Sequence, residues 1–190
     1  LAPKHVERIK ELARAGDYDG VVFHRVIDGF MAQTGDVKFG NKNKDSFNPG
    51  RAGMGGSSMP DLAQEFSAES HQRGVCSMAR AQNPNSANSQ FFICFEDAGF
   101  LDRQYTVWGK VRAGQDVVDG LEVGTLGQGF GFSPDFIEAM EVASDLEDAP
   151  RLEVMDTNSQ TFAAYLDALR DDPGALPDLC AIDVPVRITN

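Results

Sequence analysis

The sequence is poor in the residues that build disulfide scaffolds, zinc sites and membrane spans. Its 190 residues include three cysteines and three histidines. Cys76, Cys94 and Cys180 are scattered and none falls in a CxxC pair, so neither a disulfide framework nor a zinc-ligand spacing is present, and no metal is expected. Cys76 and Cys94 lie in apolar, strand-like runs, where cysteine packs as a small core residue. An odd count without a framework favours a reducing compartment, the cytoplasm, while a start at Leu1 in place of Met leaves a periplasmic location open. No run approaches the ~18 apolar residues of a membrane span, so no membrane partner is expected. Basic charge is also scarce, with 17 Lys and Arg against 29 Asp and Glu and a net charge of -12. An acidic chain repels phosphate backbones, which argues against nucleic acid as a partner. Residues 138–190 carry twelve acidic and three basic side chains, whereas residues 1–137 carry seventeen and fourteen. The acidic stretch reads as a solvated surface.

What is present suits one globular domain over residues 1–190: 42% hydrophobic residues, 13 of them Phe, and enough length for a substantial core. Pro3 suits a first helical position, and Val6, Ile9, Leu12 and Ala13 share one helical face before a stop at Gly16. Val21–Ile27 reads as a strand, turning at Asp28 and Gly29 into Phe30–Gln33. Residues 34–64 form a long polar loop, and such loops in compact domains are often functional. Val75–Ala79, Gln90–Phe95 and Thr106–Val111 are further strands, and Gln115–Leu121 is a short helix with Val117, Val118 and Leu121 inward. After the Gly-rich stretch Gly120–Gly131, the alignment of Phe136, Met140 and Ala143 predicts a helix over Pro134–Leu146. A second helix is predicted over Ser159–Leu169 and a closing strand over Cys180–Ile188. Several short strands with few helices indicate a mainly β fold, a barrel or sandwich dressed with helices.

Two ordered strings stand out. One is Phe23-His24-Arg25-Val26-Ile27-Asp28-Gly29-Phe30-Met31-Ala32-Gln33-Thr34-Gly35-Asp36, and the other is Ser77-Met78-Ala79-Arg80-Ala81 followed by Asn88-Ser89-Gln90-Phe91-Phe92-Ile93. A third piece is Phe100-Leu101-Asp102 with Val107-Trp108-Gly109-Lys110-Val111. In order and separation these resemble the cyclophilins, of bacterial type, over roughly Pro3 to Leu121 and again at the last strand. The resemblance implies a closed, eight-stranded antiparallel β-barrel capped by helices, and peptidyl-prolyl cis/trans isomerase activity that assists protein folding. It implies Arg25 and Gln33 as catalytic residues, with Gln33 orienting both Arg25 and the substrate. It further implies Phe30, Met31, Phe92 and Leu101 around the proline ring, Ala79, Arg80 and Gln90 along the groove, and Gly53 at the rim of a shallower second pocket. Expected partners are proline-containing peptides and unfolded or partly folded proteins, and no cofactor is implied.

The residue types fit that chemistry on their own terms. Amide resonance sets a barrier of ~18–20 kcal/mol to peptide rotation. The two X–Pro isomers differ by only about 0.5–1 kcal/mol, so a catalyst needs to add speed, not to overcome an equilibrium. No bond breaks, and neither nucleophile nor metal is required. An always-charged guanidinium fork can stabilise the twisted state, in which the nitrogen gains a lone pair. Other chemistries are weaker: His24, Asp36 and Cys94 lack local support as a nucleophilic set, and Gly53-Met54-Gly55-Gly56-Ser57 lacks the Lys and following helix of a phosphate loop. The runner-up is a non-catalytic module that binds proline peptides.

Three departures from the family carry expectations. The resemblance implies two strands ahead of the Pro3 helix, so the natural protein is expected to be longer at its start or to cover its open edges otherwise. Phe100 stands where many eukaryotic cyclophilins have Trp and Tyr105 where they have His, so cyclosporin is expected to bind weakly. Residues 122–179 expand a short family connection into an acidic, partly helical insertion.

Overall fold

Pro3 pre-sets the first helical turn of α1 (Pro3–Arg14), and the amides of Lys4 and His5, unpaired within the helix, donate to the Glu65 carboxylate at 3.1 and 3.2 Å. In this computed structural model the described residues are 1–127 and 132–145, with the backbone of 186–189. The expected face of α1 is the buried one: Val6, Ile9, Leu12 and Ala13 all join the core.

The strands are β1 (Arg25–Ile27), β2 (Met31–Thr34), β3 (Val75–Met78), β4 (Phe91–Cys94), β5 (Val107–Lys110), β6 (Gly124–Thr125), β7 (Phe136–Met140) and β8 (Val186–Thr189). A short helix, α2 (Gln115–Asp119), and 3-10 turns at Gly99–Leu101 and Ala143–Asp145 complete the description. Strands β1 to β6 form one antiparallel sheet in the order β5-β3-β4-β2-β1-β6, and β7 pairs with β8. The fold is mainly β with few helices, as expected, but the described strands do not close into a barrel: β5 and β6 are edges. β7 is tied to the residues ahead of β1, with Val22 bridged to Phe136 and Ile137 N–H donating to the Val21 carbonyl, and its Ile137 and Met140 join the same core as the larger sheet.

Three other expectations are corrected. Within the expected Pro134–Leu146 helix, the described residues form a strand, Phe136–Met140, and a 3-10 turn, Ala143–Asp145. The ladder to β8 shifts register between Ile137 and Ala139, which breaks strict alternation: the buried residues are Ile137, Met140 and Val142, while Phe136 and Ala143, aligned with Met140 in the helical reading, are half-buried. Val117 of α2 is exposed, because the helix is little more than one turn and presents only Val118, followed by Leu121, to the core. The Val21–Ile27 strand shortens to β1 because Val21 bridges to Asn41 and Val22 to Phe136, outside the β1–β2 ladder. The Ser159–Leu169 helix and Cys180 lie outside the described residues.

Alternation along the strands sorts side chains onto two faces. Val26, Ala32, Cys76, Met78, Phe91, Ile93 and Trp108 join the main core under α1. Met31, Val75, Phe92, Cys94 and Val107 form a second apolar cluster on the opposite face, with Ala98 and Leu101 from the 3-10 turn region.

Candidate active site

The second face carries the polar side chains. Directly opposite residues of an antiparallel ladder point the same way. Here Thr125 pairs with Arg25, Arg25 with Gln33, Gln33 with Phe92 and Phe92 with Ser77, one row across five strands. The row is polar at the β1 end and apolar at β4, and the site takes its two halves from that gradient.

In the polar half, Arg25 Nη1 donates to Gln33 Oε1 at 3.4 Å, and Gln33 Nε2 donates to Gln90 Oε1 at 3.0 Å. Gln90 Nε2 then donates to the carbonyls of Gly53 and Gly55 at 2.9 and 2.7 Å. The same loop is fastened from its other side, since the N–H groups of Gly53 and Gly55 donate to Asp36 Oδ2 at 2.8 and 2.9 Å. Gly53 has to be glycine: its φ is +94°, and an added Cβ would lie 2.8 Å from Cδ2 of the buried His24. No ring nitrogen of His24 has a hydrogen-bond partner among the described residues. Burial pushes its pKa down to about 4, with Arg25 acting in the same direction against Asp36.

The apolar half is built from Met31, Phe92 and Leu101, all buried, with Phe30, Ala79 and Tyr105 half-buried around them. Tyr105 stands edge-on to Phe92 at 5.8 Å. Phe100 is 65% exposed and leans on Phe30 at 5.4 Å, which makes these two rings a rim and not a floor. Ala79 N–H donates to the Gln90 carbonyl at 3.0 Å. Arg80 has its donors occupied by the carbonyls of Ala81, Gln82 and Gln104, and its guanidinium lies over the Tyr105 ring. It therefore braces the groove wall and offers that wall a cationic face.

All twelve residues singled out from the sequence thus fall on one face or its rim. Asp36, His71 and Asp102 support it without having been assigned a part. Asp36 and Asp102 stand inside the quoted strings, but only the folded chain shows what each carboxylate holds. Burial pushes the Cys94 thiol up to about 11, so it is not an activated nucleophile. Among the described residues no group of His, Cys, Asp and Glu is arranged to hold a metal, and no helix is long and apolar enough to cross a membrane.

Comparison with known proteins places this geometry. The family model for cyclophilin type peptidyl-prolyl cis-trans isomerases matches residues 1–142. A probable peptidyl-prolyl cis-trans isomerase of Brucella abortus is 63% identical over 125 residues, covering 66% of this chain and 63% of that protein. A peptidyl-prolyl cis-trans isomerase of Arabidopsis thaliana is 39% identical over 122 residues, covering 64% of this chain and 52% of its own length. The chain therefore spans less than two thirds of these curated relatives. Among solved structures, the cyclophilin AquaCyp293 from Hirschia baltica matches with a TM-score of 0.62 at 26% identity, over 100% of this chain and 85% of that one. A Cryptosporidium parvum cyclophilin type isomerase, in the presence of the dipeptide Ala-Pro, matches with a TM-score of 0.54 at 26% identity, over 68% of this chain and 79% of that one.

Proposed function

The chain belongs to the family of cyclophilin type peptidyl-prolyl cis-trans isomerases, and we propose that it accelerates rotation about X–Pro bonds in protein substrates and so assists their folding. The observation that carries this reading is Arg25, half-buried, hydrogen-bonded to Gln33, and set on the same face as the Met31, Phe92 and Leu101 cluster. With the proline ring held in the apolar half, the amide nitrogen comes within reach of the guanidinium. As the bond twists, the nitrogen lone pair leaves conjugation and becomes an acceptor, and a donor fixed beforehand stabilises it without reorganising. Gln33 restrains Arg25, and Gln90 ties Gln33 to the 53–55 loop, so the donor is held by the fold.

Proline-containing peptides and unfolded or partly folded proteins are the proposed substrates. The Ala-Pro dipeptide accompanying the Cryptosporidium relative supports that class. Cyclosporin is proposed to bind weakly, because Phe100 supplies no N–H at the rim. The six-stranded sheet is read as the larger arc of the family's barrel, with residues 122–179 as an insertion into it. A cytoplasmic setting fits the buried, unpaired thiols of Cys76 and Cys94.

A protease-coupled isomerisation assay on an X–Pro peptide tests the proposal. Arg25→Ala is expected to lower kcat/KM by about 10²–10³, or roughly 2.7–4 kcal/mol, the usual effect of removing one electrostatic donor. Circular dichroism is expected to stay unchanged. Near-normal turnover in a folded Arg25→Ala protein sinks the role given to Arg25.

A further inference from the structure

His71 is fully buried behind the apolar half of the site and is engaged on every side. Its ring stacks on Phe92, 16° from parallel with centroids 6.2 Å apart. Nε2 lies 3.0 Å from Ser77 Oγ, and Ser77 is the residue opposite Phe92 in the β3–β4 ladder. Nδ1 lies 2.9 Å from Asp102 Oδ1, which also accepts the His71 backbone N–H at 2.7 Å. The second Asp102 oxygen accepts the Ser70 hydroxyl at 2.7 Å. A carboxylate only accepts, so Nδ1 carries the proton toward Asp102 and Nε2 is free to accept from Ser77.

The hydroxyl–imidazole–carboxylate spacing resembles a hydrolytic relay, but Ser77 and His71 are both 0% exposed, and no substrate reaches the hydroxyl. What the group holds is the 3-10 turn Gly99–Leu101. At one end of that turn Ala98 N–H donates to the His71 carbonyl at 2.7 Å, and at the other end Asp102 is fastened to the His71 backbone and ring. The turn carries Leu101, which shares the apolar cluster with Phe92. Both walls therefore refer to one residue: Phe92 through the ring, and Leu101 through the two ends of its turn.

We propose that His71 is a positioning residue that sets the width of the proline pocket, and so the size of the cyclic residue the protein accepts, by holding the Leu101 turn at a fixed distance from Phe92. This rests on the isomerase reading of the site. The consequence is selectivity by ring size. With His71 and Asp102 intact, five-membered proline is preferred over the six-membered pipecolyl analogue, and loosening the clamp erodes that preference.

The test measures binding and turnover separately. X–Pro and X–pipecolyl peptides of otherwise identical sequence are titrated into wild type, His71→Phe and Asp102→Asn by NMR, and kcat/KM is measured for each. His71→Phe keeps a ring against Phe92 and loses both side-chain hydrogen bonds. Asp102→Asn is the milder change at a half-buried site and retains an acceptor. The expected result is about a tenfold weaker Kd for the proline peptide in His71→Phe, a smaller loss in Asp102→Asn, and a shift of several-fold in the proline-to-pipecolyl ratio, as displacement of a positioned wall produces. The loss is expected in KM more than in kcat. An unchanged ratio per folded molecule in both variants overturns the proposal, whether or not total activity falls. Wild type that binds with the proline preference yet does not isomerise sinks the isomerase reading alone, and wild type that binds neither peptide overturns both.

Discussion

The two faces of the six-stranded sheet are made from the same strands, yet they have different contents. Along β4, Phe91 and Ile93 turn to one side and Phe92 and Cys94 to the other. The first side is closed by α1 and by aromatic packing, with Tyr18 and Trp108 edge-on to Phe91 at 5.8 and 5.3 Å. Among the described residues the second is covered by a 3-10 turn and a loop, and it admits Arg25, Gln33 and Ser77 among its hydrocarbon. A face that must only be stable can be almost wholly apolar, with its one polar member in the Phe91 row, Thr34, satisfied by the Val22 carbonyl. The face proposed to bind and turn a peptide sets one aromatic, Phe92, in a cross-strand row whose other members, Thr125, Arg25, Gln33 and Ser77, are polar.

The sharpest way to break that comparison is to truncate neighbours of opposite orientation. Phe91→Ala and Phe92→Ala are each expected to cost ~3–5 kcal/mol of stability, since both rings are buried. Only Phe92→Ala should also weaken peptide binding per folded molecule. Denaturant unfolding alongside peptide titration checks it, and equal binding losses in the two variants would erase the distinction between the faces.

Acid should act on the polar half next. His24 is held at about 4 when folded, below its ordinary value of about 6.5. Between those values the unfolded chain binds more protons, so stability is intact above about pH 6.5 and falls as the pH drops toward about 4, by on the order of 3 kcal/mol. Asp102, held at about 2 chiefly by the His71 N–H and then by Ser70, adds its loss in a lower window, below its ordinary value and down through about pH 2. Urea melts from pH 7.5 to 4.5 read the first window. A His24→Gln variant should flatten that slope, and an unaltered slope assigns the acid lability elsewhere.

The smallest expected effect lies at the rim. Phe100→Trp adds one indole donor at a position already 65% exposed, so cyclosporin affinity should rise by about 0.5–1.5 kcal/mol with little change in stability. Calorimetric titration of both proteins decides it, and unchanged affinity would show that another part of the groove controls the drug.

The contrast between the faces was partly legible before folding. Short apolar runs bounded by turn residues placed β2 to β5 to within a residue or two, and the quoted strings contained ten of the twelve residues singled out for the site, all but Gly53 and Tyr105. What stayed hidden was non-local or locally disguised. His71 meets Asp102 across 31 positions, and nothing near either residue announces the other. Phe136, Met140 and Ala143 have helical spacing, and the bulge that breaks strand alternation among them shows only in the pairing with β8. Gly124 and Thr125 read as a Gly-rich linker, and two residues carry no periodicity, yet they form the strand beside Arg25.

That last strand is also an attachment point. Leu126 N–H donates to the His24 carbonyl at 2.8 Å, and Phe23 N–H donates to the Asp135 carbonyl at 2.8 Å. Leu126 and Asp135 are therefore both fastened to the two residues immediately before Arg25. The backbone that carries Arg25 is thus pinned just ahead of its ladder with β2 as well as within it, while the apolar wall on β4 lies two strands away.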